Sequence, residues 1–114
     1  MLECVANISE GRQTAIINDF KSSLLCSPGI NLINIDKGYD ANRTVFTFLG
    51  DNKSITSAVI DLLRKCLIHI DMRKHLGNHP RIGSLDVCPI IPIHPSTIDD
   101  ANECIQNILK EIEI

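Results

Sequence analysis

The segment Thr44-Val45-Phe46-Thr47-Phe48-Leu49 is the clearest strand in this sequence, because β-branched and aromatic residues follow one another without interruption. Residues 50–52, Gly-Asp-Asn, end it. Just before it, residues 30–35 form a second apolar run that ends at Asp36, and residues 37–40 turn the chain. The centre of the sequence therefore predicts two strands joined by a turn.

The first part of the chain adds another strand and two helices. Residues 2–8 alternate loosely and predict a first strand, with Ser9 available to cap the helix that follows. Residues 27–29, Ser-Pro-Gly, stop this helix. Apolar residues at helical spacing predict a second helix that begins at Ser54.

The last third of the chain completes the pattern. Residues 85–93 predict a fourth strand, which Pro89 and Pro92 restrict to a sheet edge or make irregular. A third helix follows, capped by Ser96 or Thr97. The order β-α-β-β-α-β-α predicts an α+β, ferredoxin-like sandwich, with helices on one face of a mostly antiparallel sheet.

Composition narrows the class of protein. The 114 residues fit one small domain, and 44% hydrophobic with only 4% aromatic residues predicts an aliphatic core. A net charge of −3 without a polybasic tail argues against nucleic acid as a partner. No run reaches the ~20 apolar residues of a membrane span, and no signal peptide is evident. We therefore expect a cytosolic protein whose five scattered cysteines are buried free thiols.

The basic residues are concentrated in one segment. Five of the eleven fall within residues 64–81, whereas the C-terminal stretch is acidic. A local cationic loop on an acidic protein suits a small anionic ligand, although a solvated charged face is the alternative. Residues 70–89 also bring two histidines together with glycines and prolines. No core needs this composition, whereas loops that carry chemistry do.

Three blocks of sequence resemble one family. They are residues 3–11 (Glu-Cys-Val-Ala-Asn-Ile-Ser-Glu-Gly), 36–50 (with Asp-Lys-Gly, Asn-Arg-Thr-Val and Phe-Leu-Gly) and 75–89 (His-Leu-Gly-Asn-His-Pro-Arg-Ile-Gly-Ser-Leu-Asp-Val-Cys-Pro). In this order and spacing they resemble the formiminotransferase N-terminal subdomain, which opens glutamate formiminotransferase and formiminotransferase-cyclodeaminase. The resemblance implies transfer of a formimino group from N-formiminoglutamate to N5 of tetrahydrofolate, the co-substrate, without a metal.

His79 is our candidate for the catalytic group. It stands two residues after Gly77 and directly before a proline, so it does not fit mid-helix. An imidazole with a pKa of about 6.5 suits proton transfer near neutral pH. The alternative is a structural loop histidine that bonds to the backbone. The resemblance places the family's acid-base histidine at His79.

His75 stands four residues before His79, a spacing that on a helix can bind zinc. Gly77 interrupts such a helix and no third ligand is evident, so we expect no metal. His75 is then either a substrate contact or a solvated side chain.

Five more residues are candidates for substrate or folate binding. Asp36 could hold the cationic amidine of the donor or only start a turn, and the resemblance places it at an active-site aspartate. Arg43 and Arg81 could each hold a substrate carboxylate, and an ion pair with a nearby aspartate is the alternative for Arg43. Asn7 could reach ligand or satisfy a turn. Gly77 is expected to allow unusual backbone angles or close ligand approach.

The length of the chain departs from the family. Family enzymes place folate between this subdomain and a second one, so we expect residues 1–114 to be a truncated single subdomain. One hypothesis is an enzyme part completed by a homo-oligomeric copy or by a separate second-subdomain chain. The alternatives are a catalytically silent folate-binding or subunit-interaction module, and an incomplete gene product in which only the fold is meaningful.

Overall fold

The computed structural model describes residues 1–74, 77 and 83–112. Its strands and helices follow the predicted order, with the last strand in two pieces and a 3-10 turn at Met72–Lys74. They are β1 Leu2–Ile8, α1 Thr14–Cys26, β2 Asn31–Gly38, β3 Arg43–Gly50, α2 Asn52–His69, β4 Leu85–Val87, β5 Ile90–Pro92 and α3 Ile98–Ile112.

The sheet has the strand order β2-β3-β1-β4, and β5 also pairs with β1. Every pairing in it is antiparallel. The predicted fourth strand lies at the edge, as its prolines required, and is divided at Cys88-Pro89 into β4 and β5. This order, with the helices as a second layer, confirms the ferredoxin-like two-layer sandwich.

Alternation along the strands separates a buried face from an open one. In β1 and β3 every second residue is buried, and these residues face the helices. The core is largely aliphatic, but its bulkiest side chains are Phe20, Phe46 and Phe48, all fully buried. The three phenylalanines therefore all serve the core, where burial of each contributes about 2–3 kcal/mol, whereas the single tyrosine, Tyr39, is exposed.

The helix starts show which local signals act. Asp51 caps α2 by accepting a hydrogen bond from the Ser54 backbone N–H at 2.7 Å, so the helix begins at Asn52, before the predicted Ser54. Thr97 caps α3, since its Oγ1 accepts from the Asp100 N–H at 3.3 Å. The residue before α1 is Gln13, so the expectation that Ser9 caps this helix was wrong.

The five cysteines are free thiols. Cys4, Cys66 and Cys104 are buried, Cys88 is half-buried and Cys26 is exposed. Burial raises the pKa of Cys66 to about 11. The Cys4 pKa is also raised, by its hydrogen bond with Cys88 and by burial. These protonated thiols therefore act as apolar packing groups. None of the described helices combines the length and apolar character that crossing a bilayer requires.

Asp51→Ala is expected to lower the free energy of unfolding by about 1 kcal/mol at pH 7, because the first turn of α2 loses its cap. The hydrogen bonds from Ser54 hold the pKa of Asp51 below its ordinary value of 3.8. A depressed carboxylate pKa stabilises the fold above that pH, so the difference between wild type and variant should shrink as the pH falls below 3.8. Urea unfolding at several pH values measures both effects.

Asp61→Ala is the matched control on the same helix. Asp61 pairs with the exposed Arg64 at 3.4 Å, and such surface pairs contribute little. An equal loss of stability in the two variants would contradict the role of the cap.

Candidate functional site

One row of side chains crosses the open face of the sheet, the face on which no helix lies among the described residues. Asp36 lies opposite Val45, Val45 opposite Asn7, and Asn7 opposite Val87. Residues directly opposite each other on antiparallel strands share a face. Asp36 and Asn7 are therefore on one face, two strand spacings or about 10 Å apart.

Arg43 joins this face at the same end of the sheet. It lies opposite Gly38, at the first position of β3, two residues before Val45. Its side chain is half-buried, whereas Asp36 is exposed. Within the described residues no ion pair joins Arg43 to Asp36 or Asp40, two of the three aspartates in the predicted alternative; the third is Asp86. The structure thus gathers three of the predicted residues, Asn7, Asp36 and Arg43, at one end of the open face.

The strand ends that carry these residues meet at residues 9–11, which we call the junction. Ser9 lies at the end of β1, where its Oγ donates to the Gly83 carbonyl oxygen at 2.7 Å. Its backbone N–H donates to the Ser84 carbonyl oxygen at 2.8 Å. These two bonds fix the chain just before β4, and they explain why Ser9 is not available as the cap of α1.

Glu10 continues the junction toward α1. Its carboxylate accepts hydrogen bonds from the backbone N–H groups of Arg12 and Gln13, both at 3.1 Å. The Gln13 side chain, which stands at the cap position of α1, makes no capping hydrogen bond to the helix. Glu10 therefore holds the backbone of the two residues that precede α1.

The same junction holds the β2–β3 hairpin. Thr44, which is fully buried, donates from Oγ1 to the Glu10 carbonyl oxygen at 2.6 Å. The Gly11 backbone N–H donates to Asn42 Oδ1 at 2.9 Å. A Cβ atom on Gly11 would lie 2.5 Å from the Arg43 nitrogen and would also collide with the Gly38 carbonyl oxygen. Only glycine permits this approach.

Gly77 reaches the other side of the hairpin. A Cβ atom on Gly77 would lie 2.8 Å from the Ala41 carbonyl carbon, 3.2 Å from Asn42 Cβ and even closer to the Ala41 carbonyl oxygen. The backbone of Ala41 therefore makes a close approach to Gly77, and the close ligand approach predicted there stays a prediction. Of the other predicted site residues, His75, His79 and Arg81 lie outside the described residues.

No site role was predicted for the junction residues Ser9, Glu10 and Gly11, or for Asn42 and Thr44, whose side chains bind the junction. Glu10 and Thr44 are buried polar residues at strand ends, and Asn42 has a left-handed φ of 51°. The signal available in the sequence was their place inside the quoted blocks, where polar residues and glycine interrupt or follow apolar strands.

Two other polar groupings lie in the helix layer. His69 Nε2 is 2.6 Å from Asp19 Oδ2, and Lys65 Nζ is 3.0 Å from Asp19 Oδ1, which joins α2 to α1 and lowers the pKa of Asp19. An open groove of about 810 Å³ lies between α2 and α3 and includes Asn52 and Glu103 in its lining. Neither grouping contains a predicted site residue.

Among the described residues, no group of three or more His, Cys, Asp or Glu side chains could hold a metal ion.

These features define a two-layer α+β domain with a polar site at one end of its open sheet face. The chain belongs to the formiminotransferase N-terminal subdomain family, since the family's sequence model, described as "Formiminotransferase domain, N-terminal subdomain", matches residues 1–113. This finding confirms the resemblance seen in the three sequence blocks.

Individual relatives agree with this membership. The chain is 39% identical over 112 residues to a formimidoyltransferase-cyclodeaminase of Dictyostelium discoideum, covering 98% of this chain and 21% of the relative. It is 37% identical over 112 residues to a glutamate formimidoyltransferase of Streptococcus pyogenes serotype M1, covering 98% of this chain and 38% of the relative. The chain therefore spans between a fifth and two fifths of the length of these relatives.

Gly11→Ala is expected to lower the free energy of unfolding by about 3 kcal/mol, the upper part of the range for overpacking, because the added methyl group meets hairpin backbone that has no room to move. Chemical denaturation followed by circular dichroism measures the change. Gly83→Ala is the matched control, since its Cβ would lie 3.9 Å from the nearest atom, the Leu85 carbonyl oxygen. Equal stability of wild type and Gly11→Ala would contradict the close approach.

Proposed function

We propose that this chain supplies one wall of a site for formimino transfer, in which N-formiminoglutamate is the donor and N5 of tetrahydrofolate is the acceptor. The observation that carries the proposal is the meeting of the three family blocks at one end of the open sheet face. Asn7 comes from the first block, Asp36 and Arg43 from the second, and Ser9 binds the chain of the third at Gly83.

The surface around these residues fits an amphipathic ligand. Val45 separates Asp36 from Asn7 in the row, and Val87, with 52% of its surface exposed, follows Asn7. Apolar lining with a few placed polar groups is typical of small-molecule sites. A folate has an aromatic ring system and glutamate carboxylates, so it presents both kinds of surface.

The proposed reaction needs proton transfer at two nitrogen atoms. N5 of tetrahydrofolate attacks the formimino carbon, and a tetrahedral adduct forms as the new C–N bond is made. N5 then loses a proton, the glutamate nitrogen gains one, and the bond between the formimino carbon and that nitrogen breaks. We assign both transfers to His79, acting first as base and then as acid, which typically contributes about 10²–10⁴-fold.

The remaining residues would hold and orient the two substrates. We assign the cationic amidine of the donor to the exposed carboxylate of Asp36. Arg43 and Arg81 have the planar forks that bind carboxylates, and both substrates carry glutamate carboxylates. We propose Asn7 and His75 as further polar contacts to the substrates. Gly77, which has no side chain, would let the backbone come close to the bound ligand. Orientation by such contacts supplies a large part of the rate in two-substrate reactions.

The proposal includes a second wall. The relatives are much longer than this chain, and the open face at Asn7 and Asp36 carries no helix in the described part of the molecule. We propose that a second formiminotransferase subdomain or a second copy of the chain covers this face.

The cysteines bear on the compartment of the protein. Free thiols such as Cys4 and Cys66 fit a reducing compartment, and we propose the cytosol.

A catalytically silent folate-binding module is the second candidate function. The chain matches only 21% and 38% of the lengths of these two relatives. This candidate is favoured by that difference, because most of each relative has no counterpart in residues 1–114. The two candidates differ in turnover, so one assay with a binding arm separates them.

His79→Ala is expected to reduce formimino transfer by about 10²–10⁴-fold, because the adduct loses its proton donor. Transfer is measured with tetrahydrofolate and formiminoglutamate, using the chain alone and mixed with the separately produced second subdomain of the Streptococcus pyogenes relative. Lys53→Ala, far from the proposed site at the start of α2, is the control.

Absence of transfer in a folded wild type, with and without the second subdomain, would sink the enzyme proposal. Tetrahydrofolate binding by calorimetry in that same sample would then support the silent module.

Asp36→Asn is expected to weaken donor use, as a higher KM for formiminoglutamate, because the neutral amide no longer attracts the cationic amidine. Steady-state kinetics measure KM for each substrate separately. Asn34→Ala is the control, since Asn34 is exposed and is the preceding residue on the same face of β2. An unchanged donor KM in Asp36→Asn would exclude the assigned contact.

A further inference from the structure

The tip of the β2–β3 hairpin, residues 39–42, is held from two sides. Within the tip, the Asn42 backbone N–H donates to the Tyr39 carbonyl oxygen at 3.1 Å and closes a four-residue turn. Asn42 has a left-handed φ of 51°, a conformation that asparagine tolerates better than most residues. The tip therefore has a defined backbone shape before any other segment meets it.

The first support comes from the junction and the residue that follows it. Asn42 Oδ1 accepts the Gly11 N–H at 2.9 Å, so the side chain of the left-handed residue is also the anchor to the end of β1. Arg12 Nε donates to the Tyr39 carbonyl oxygen at 2.9 Å, and the Arg12 guanidinium lies 5.0 Å from the centre of the Tyr39 ring. The tip is thus fixed relative to the sheet end.

The second contact is with Gly77. The backbone of Ala41 and the Cβ of Asn42 fill the space that a side chain on Gly77 would need. Ala41 and Asn42 therefore limit how closely the Gly77 backbone can approach the tip, and from which side. His79 follows Gly77 by two residues, and a tether of two residues spans at most about 7 Å.

We propose that the hairpin tip is a template for the Gly77 backbone and that Asn42 is a positioning residue, acting through Gly77 on His79. The inference rests on the proposed function for its catalytic meaning. Asn42 needs no contact with substrate in this role. Asn42 fixes the position of the Gly77 backbone, from which the chain continues to the His79 imidazole. A catalytic group misplaced by about 1 Å can lower the rate by about 10²-fold.

The test uses two variants that disturb the template in different ways. Gly77→Ala inserts a methyl group between Gly77 and the tip. Asn42→Gly keeps the left-handed backbone, which glycine adopts freely, but removes the acceptor for the Gly11 N–H. Gly38→Ala is the matched control in the same hairpin, because its Cβ would lie 3.6 Å from the nearest atom, the Arg43 carbonyl oxygen.

The first measurement does not require turnover. The Cε1–Hε1 resonance of His79 is followed by NMR in the full chain, assigned by its loss in His79→Gln, and titrated with pH. Gly77→Ala and Asn42→Gly are expected to move this resonance and its titration midpoint, whereas Gly38→Ala leaves both unchanged. Amide spectra confirm that each variant is folded, and if Gly77→Ala does not fold, Asn42→Gly decides alone.

The second measurement separates the effect of each variant on kcat from its effect on KM. Both variants should lower kcat by about 10²-fold with little change in KM for either substrate. Because they act on one contact, the double variant should lose less than the product of the single losses. A His79 resonance and midpoint unchanged in folded variants would overturn the proposal, as would equal shifts in Gly38→Ala. A wild type without transfer activity would overturn the proposed function alone, since the resonance still reports on the template.

Discussion

The close approach of Gly11 to the hairpin backbone is the constraint on which the arrangement of this domain depends. At this point β1 ends, β3 begins, and the chain before β4 passes within hydrogen-bonding distance. Ser9, Glu10 and Thr44 are buried there, and a buried polar group that loses its partner costs about 1–3 kcal/mol. The absence of a side chain at Gly11 allows the hairpin backbone at Gly38 and Arg43 to lie this close to the end of β1.

The two faces of the sheet differ in role: one packs against the helices, and the other carries the polar residues of the candidate site. The helix side buries Phe20, Phe46, Phe48 and the aliphatic stripes of the helices, so the hydrophobic core lies on this side of the sheet. The open side can therefore carry charge and amide groups at Asp36, Asn7 and Arg43 without a large desolvation cost. A site built on strands has the further advantage that neighbouring strands hold their side chains at fixed spacing.

The junction also explains how blocks distant in sequence come to share one site. The Ser9–Gly83 bond joins residues 74 positions apart, and the Thr44–Glu10 bond joins residues 34 positions apart. The first block thus orients both the hairpin and the segment that follows the His-Pro-Arg triplet. A family resemblance concentrated in these blocks is what such a shared framework requires, because each block contributes atoms that the others bind.

The amino-acid sequence by itself determined the order of the elements, the edge position of the proline-containing strand and the family. The run of residues 44–49 became β3, Arg43–Gly50, and Thr97 capped α3, because propensity and capping act over a few neighbouring residues. The tertiary structure alone decided that Ser9 binds Gly83 instead of capping α1, and that Gly77 packs against Ala41. The contacts of Ser9 and Gly77 join residues far apart in the chain, so they depend on how the sheet and helices pack, and no local pattern specifies them.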